Sequence, residues 1–173
     1  MIRTFIKYWV PVLLWLAVIF SASADKSSGQ RSSRIIAPIV RFLVPNISQK
    51  NLDTIVHSVR KTAHMTEYAV LALLLFRALA KVGRGVPAEP SAVPVGRSVE
   101  VGRSVLAEPP PSFPLRAGAI AFALSALYAM TDEFHQTFVP SREGQITDVI
   151  IDSFGAAAGL CALWLVGRWR KRW

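Results

Sequence analysis

The chain has 173 residues, of which 52% are hydrophobic, with a mean hydropathy of +0.37 and a formal net charge of +9 at pH 7. A soluble domain balances its core with a more polar surface, so this composition argues for a small set of membrane helices. The basic residues flank apolar runs and sit in connecting segments, which suits anionic lipid headgroups and sets nucleic acid aside as a partner.

The first apolar run, between Lys7 and Asp25, has 17 uncharged residues, including Trp9, Trp15 and Phe20. It is long enough to cross a bilayer with modest help. A second reading is a secretory signal peptide, with Arg3 and Lys7 as its basic start and Ala22-Ser23-Ala24 as a cleavage-like end. Residues 25–62 are polar and basic at both ends around an apolar middle, Ile35 to Val44, interrupted by Pro38. Arg34 and Arg41 share one helical face there, which predicts a short helix in the headgroup region, with an ordinary loop as the alternative. A second short helix from Gln49 to Lys61 is expected to lead into the next crossing, with His57 as a surface residue.

The second apolar run has only nine uncharged residues, Tyr68 to Phe76. A crossing needs about 20 residues, so this helix must begin near Ala63 and take in His64 and Glu67. Between the second and third runs, Val82 to Pro114 holds seven of the 11 prolines and a degenerate repeat: Val82-Gly83-Arg84, Val95-Gly96-Arg97, Val101-Gly102-Arg103. Proline removes donors and forbids helix interiors, so residues 82–114 read as a disordered insert. The third run, Ala117 to Thr131, and the fourth, Ser153 to Gly167, have 15 uncharged residues each. By the same arithmetic the third leans on Asp132 and the fourth extends back through Asp152 and Asp148. Cys161, the single cysteine, lies in the fourth run and reads as a packing residue; alone, it excludes an internal disulfide and any multi-cysteine metal site. The expected fold is all-α: an integral membrane four-helix bundle with an interfacial amphipathic segment, crossing at about 8–24, 63–80, 115–132 and 148–167.

Four crossings place both termini and the proline-rich segment on one side, together with 12 of the 20 Lys and Arg residues. The excess of positive charge predicts cytoplasmic termini, and Arg168, Arg170, Lys171 and Arg172 beside Trp169 and Trp173 read as an interfacial anchor. Alternation then carries the start of the second crossing, the end of the third and the start of the fourth to the same outer face. The end of the first, Phe20-Ser21-Ala22-Ser23, joins them.

Each of those ends carries ionisable residues. His64 and Glu67 are three apart and share a helical face, with Tyr68 one turn from His64. Asp132 is followed at the same spacing by His135 and Gln136, while Glu133 is expected to point elsewhere. Asp148 and Asp152 are four apart, and Arg142, in the loop Pro140-Ser141-Arg142, is suited to bidentate binding of a phosphate or carboxylate. Unpaired groups of this kind cost several kcal/mol in a membrane, so their concentration at one face points to a site. A histidine oriented by a carboxylate can move a proton near neutral pH, which makes His135 with Asp132 or Asp148, and His64 with Glu67, candidate acid/base dyads. An equal reading is a polar plug whose members satisfy one another and set helix register, with Asp152 leaning to that role. Two histidines and several carboxylates could hold a divalent metal, but neither cluster matches a zinc spacing and three helices would have to converge, so a metal is the minority reading; no cofactor is expected. Ser21, Ser23 and Ser141 sit in no nucleophile elbow, and Gly155 with Gly159 forms a small-xxx-small face that marks close helix packing and gives a weak pointer to dimerisation.

Together these residues resemble the VanZ-like family of bacterial membrane proteins. The likeness rests on Phe20-Ser21-Ala22-Ser23, on His64-x-x-Glu67-Tyr68, on Tyr128-Ala129-x-x-Asp132-Glu133-x-His135-Gln136-x-Phe138-Val139-Pro140-x-Arg142, and on Asp148 and Asp152 before Gly155 and Gly159. It runs from about Trp9 to Gly167, excluding the proline-rich insert. Ser141 and Thr131 depart from the pattern and leave the ionisable positions intact. The resemblance implies a multi-pass protein of the bacterial plasma membrane with a cell-envelope role; teicoplanin-type glycopeptide resistance is the function attached to the founding member. With the residue chemistry, it makes His64, Glu67, Asp132, Glu133 and His135 the catalytic candidates. Ser21, Ser23, Tyr68, Gln136, Arg142, Asp148 and Asp152 are the candidates for substrate contact. The expected partners are membrane lipids and a lipid-linked envelope precursor or glycopeptide. An enzyme acting on an envelope lipid and a non-catalytic binder or scaffold both fit this site, whereas an ion pathway needs polar residues deeper in the helices.

Overall fold

The computed structural model describes residues 2–24, 28–83, 113–139 and 144–172, and no strand occurs among them. Their helices are α1 (Ile2–Ala24), α2 (Ser28–Leu43), α3 (Gln49–Gly83), α4 (Leu115–Gln136) and α5 (Ile146–Trp169). The described residues are all-α, as the apolar runs predict. The expectations for Pro140, Ser141 and Arg142, and for nearly all of the proline-rich insert, fall outside the described residues.

The main departure from the sequence reading is α3, a single helix of 35 residues where the pattern predicts a short helix to Lys61 and a crossing from about Ala63. No proline or glycine interrupts it before its last residue. Ser48 Oγ caps its start by accepting from the Asn51 N–H at 3.3 Å. Thr54, Thr62 and Thr66 each return their hydroxyl to the carbonyl four residues earlier at 2.9 Å, so they stay compatible with the helix. At about 1.5 Å per residue, α3 is about 50 Å long, against a hydrocarbon layer of about 30 Å. It is therefore longer than such a layer by several turns.

Among the described residues three stretches are long and apolar enough to cross a membrane: Phe5–Ala24, Gln49–Lys81 and Ile146–Trp169. The fourth expected crossing, α4, is not among them, because its uncharged stretch is closed by Arg116 at one end and Asp132 at the other. The short amphipathic helix is present as α2, which continues through Pro38 and leaves Ile35, Ile39 and Phe42 exposed. Its end is fastened to the start of α3: Arg41 Nη2 donates to Gln49 Oε1, and Gln49 Nε2 to Asp53 Oδ1, both at 2.9 Å.

Contacts along α3 give the direction of each partner. Arg77 stacks over Tyr8 at 5.1 Å while Trp15 Nε1 donates to the Glu67 carbonyl at 2.9 Å, so α1 runs antiparallel to α3. Phe76 stacks on Phe113 with centroids 5.1 Å apart and Tyr68 meets Tyr128 at 6.4 Å, so α4 is antiparallel too. Lys61 pairs with Asp148 and Ala69 packs against Gly159, so α5 runs parallel to α3. In lipid there is no water to exclude from between helices, and close packing supplies the attraction. The small-xxx-small face supplies it here within one chain: a Cβ on Gly155 would fall on the Met65 backbone, and one on Gly159 would lie 3.0 Å from the Ala69 Cβ. Beyond this contact the core is apolar and centred on α3, with Leu71, Ala72, Leu75 and Phe76 against Val12 and Ile19 of α1 and Ala121 of α4. Cys161 is exposed on the outer side of α5 rather than packed inside.

Candidate functional site

Toward the start of α3 and α5, past the Gly155 contact, the two helices carry long ionic side chains and a cavity of about 490 Å³ opens between them and the end of α4. One wall is the α3 face formed by His57, Arg60, Lys61 and His64, which follow the i, i+3, i+4, i+7 spacing of one helical stripe. The facing wall comes from Glu133 and Gln136 of α4, Gln145 before α5, and Asp148, Ile151 and Asp152 of α5. Lys61 Nζ and Asp148 Oδ1, 2.6 Å apart, tie the two walls.

On the α3 side, His64 Nδ1 lies 3.1 Å from Glu67 Oε2, and both side chains are about a quarter exposed. This is a histidine held by a carboxylate at the cavity edge. The carbonyl of the same Glu67 receives the Trp15 indole N–H, which sets the rotation of α3 against α1.

On the α4 side a hydrogen-bonded chain crosses the bundle end. Ser23 Oγ of α1 donates to Asp132 Oδ2 at 2.7 Å. Gln136 Nε2 donates to the same oxygen at 3.0 Å and to Glu133 Oε1 at 3.3 Å. The Gln145 backbone N–H closes the chain on Glu133 Oε2 at 3.0 Å. Glu133 thus faces the cavity, contrary to the sequence expectation. The reason is that α4 has neighbours on two sides: α1 takes Asp132, and the segment leading into α5 takes Glu133, one residue or about 100° round the helix. Gly144 makes the second approach possible, since a Cβ there would collide with the Glu133 carbonyl.

The His135–Asp132 dyad is not formed. Asp132 is turned to Ser23 and Gln136, and the His135 ring packs instead on Phe20, centroid to centroid 4.6 Å. Three buried polar atoms have no hydrogen-bond partner among the described residues: Tyr68 Oη, Asp132 Oδ1 and His135 Nε2. Leaving a buried polar atom unpaired costs about 1–3 kcal/mol. Tyr128 is different, for its hydroxyl donates to the Leu16 carbonyl at 2.8 Å.

Of the residues singled out from sequence, the structure gathers Ser23, Asp132, Glu133 and Gln136 in one network and His64, Asp148 and Asp152 around the cavity, with Glu67 on His64. Tyr68 is buried at the base of this end. Ser21 is left out: it is exposed and returns its hydroxyl to the Ala17 carbonyl at 2.7 Å. The residues that sequence reasoning missed are Arg60, Lys61, Gln145 and His57, an exposed residue that nonetheless lines the cavity. Their signal is the helical stripe His57-Arg60-Lys61-His64, legible once α3 is taken as continuous. No group of three or more His, Cys, Asp or Glu side chains is placed to hold a metal ion among the described residues.

A family model described as VanZ/LLP1 matches residues 8–167, from the first turns of α1 to the end of α5. No curated protein and no solved structure matches the chain.

Proposed function

The chain belongs to the VanZ/LLP1 family, and from that premise we propose that it is a multi-pass protein of the bacterial plasma membrane that binds an envelope lipid or lipid-linked precursor in the cavity between α3, α4 and α5. In this reading α1, α3, α4 and α5 form a four-helix bundle that crosses the membrane four times, and α2 lies in the headgroup layer on Ile35, Ile39 and Phe42. In this reading the termini are cytoplasmic and the cavity faces outward, which the Lys and Arg distribution supports. Arg77 over Tyr8 at 5.1 Å and Arg168 over Trp164 at 5.7 Å support this, as cation and aromatic anchors at the end away from the cavity. The hydrogen bond from Ser23 to Asp132 supports a retained first helix over a cleaved signal peptide, because removing α1 would open the polar network.

The observation that carries the proposal is the cavity itself: a two-walled ionic site, with cations on α3 and carboxylates on α4 and α5, at the end of apolar helices. One observation favours a stronger version in which the protein acts on what it binds. His64 is oriented by Glu67 at 3.1 Å and lines the cavity, which is the geometry of a general acid/base. Glycopeptide susceptibility is the phenotype attached to the founding family member and the first to measure.

His64→Gln and Glu67→Gln separate the two versions. If the protein acts on its ligand, both variants accumulate normally in membranes but abolish any change in lipid extracts, and with it the effect on teicoplanin susceptibility. If it only binds, no product is found and binding weakens by degrees, about tenfold for each lost charge-assisted contact. The proposal fails if substitutions at His64, Glu67, Glu133 and Asp148 leave both lipid binding and susceptibility at wild-type levels.

A further inference from the structure

The basic wall of the cavity has a property that the carboxylates and histidines do not explain. Arg60 is half-buried, lines the cavity, and makes no hydrogen bond, ion pair or ring contact among the described residues. Its neighbour Lys61 is already held by Asp148 at 2.6 Å. A guanidinium in a partly desolvated position without a carboxylate is suited to an incoming anion, and its planar fork matches phosphate oxygens. His57 lies one turn before it and His64 one turn after, so the stripe offers donors over about 10 Å of helix. Counting about 20 residues back along α3 from its basic end at Lys81 puts the hydrocarbon boundary near Lys61. Lipid phosphates sit at that level.

The facing wall limits what the anion can be. Glu133, Asp148 and Asp152 would repel a bare phosphate, but they accept hydrogen bonds from a donor attached to one. We therefore propose that the cavity recognises a phosphate ester whose other substituent donates hydrogen bonds, such as an ammonium or hydroxyl-bearing lipid headgroup. Arg60 is its principal phosphate ligand, and Glu133 and Asp152 receive the donor end. This rests on the lipid-binding reading above and names the chemical class that the site selects.

The test is titration of the full-length protein in detergent with dioctanoyl phosphatidylethanolamine, dioctanoyl phosphatidylcholine and inorganic phosphate. The ethanolamine lipid should bind at least about tenfold tighter than the choline lipid, whose quaternary nitrogen donates no hydrogen bond, and tighter again than inorganic phosphate. Arg60→Gln should weaken the ethanolamine lipid about tenfold, with Arg60→Lys recovering part of the loss. Asp152→Asn should narrow the preference for ethanolamine over choline. Wild-type affinity in Arg60→Gln, or equal binding of the two lipids, would overturn the proposal and leave lipid binding standing. Inorganic phosphate binding as tightly as the lipid would overturn the headgroup assignment in favour of free phosphate. No binding of any lipid by the wild type would overturn this inference and the broader reading together. Helical circular dichroism and elution position establish that each variant is folded; if Arg60→Gln is not, the wild-type preference between the two lipids decides.

Discussion

Along α3, residues 68–80 and residues 57–64 share one backbone and both lie beside α5, yet the first stretch is packed shut and the second lines a cavity. In the first, Tyr68, Leu71, Ala72, Leu75, Phe76, Ala78 and Ala80 are all buried against α1, α4 and α5. In the second, His57, Arg60, Lys61 and His64 face carboxylates across an open space. The change comes at the contact of Gly155 and Gly159 with Met65 and Ala69, where the two helices approach so closely that a Cβ on Gly155 would fall on the Met65 backbone. Small side chains bring the helix axes together on one side of that point, and long ionic ones hold groups apart on the other. The same device that makes the core tight therefore places the site, because it fixes the rotation and height of Asp148 and Asp152 against Lys61 and His64.

Enlarging that contact is the strongest way to break the difference. Gly155→Leu should cost on the order of 3 kcal/mol or prevent folding, since the new side chain would meet backbone that cannot give way. A thermal melt of the purified protein measures it, and a wild-type melting temperature would show that the contact does not set the packing. A smaller loss tests the polar half. Ser23→Ala removes a hydrogen bond to a buried carboxylate that already has one unpartnered oxygen, and should cost about 1–2 kcal/mol. Trp15→Phe, at the border of the two regions, removes the indole donor to the Glu67 carbonyl together with part of a ring packed on the core, and should cost about 1–2 kcal/mol by the same melt. The smallest effect belongs to Ser21→Ala, within about 0.5 kcal/mol, because its hydroxyl is exposed and bonds within its own helix. Equal effects at Ser21 and Ser23 would mean that the network across the helix ends contributes nothing to stability.

The pair Ser21 and Ser23 also shows where sequence reading stops. Both lie at the end of the first apolar run, and hydropathy treats them alike. Which one points inward depends on how α1 is rotated against α4, and that is set by Trp15 on Glu67 and Tyr128 on Leu16, contacts between residues 52 and 112 positions apart. Glu133 and His135 differ from expectation for the same reason. Three-residue spacing correctly shows that Asp132 and His135 share a face, but it does not reveal that Ser23 occupies Asp132 first or that Phe20 covers the histidine. By contrast His64 and Glu67 meet as their spacing predicts, because both belong to one helical turn and need no other element to bring them together.

The apolar runs and their charged borders by themselves determined an all-helical chain and the position of most helices, since these follow from local periodicity and from the cost of placing charge in lipid. They also determined that the polar ends of α1, α3, α4 and α5 collect together, because consecutive long helices reverse direction. Only the tertiary structure decided that α3 runs unbroken through Lys61, which turns His57 and Arg60 into cavity wall, and which of the neighbouring acids and serines face inward. Those choices depend on the rotation of each helix about its own axis. That rotation is a property of packed pairs such as Gly155 on Met65, and no single helix sequence contains it.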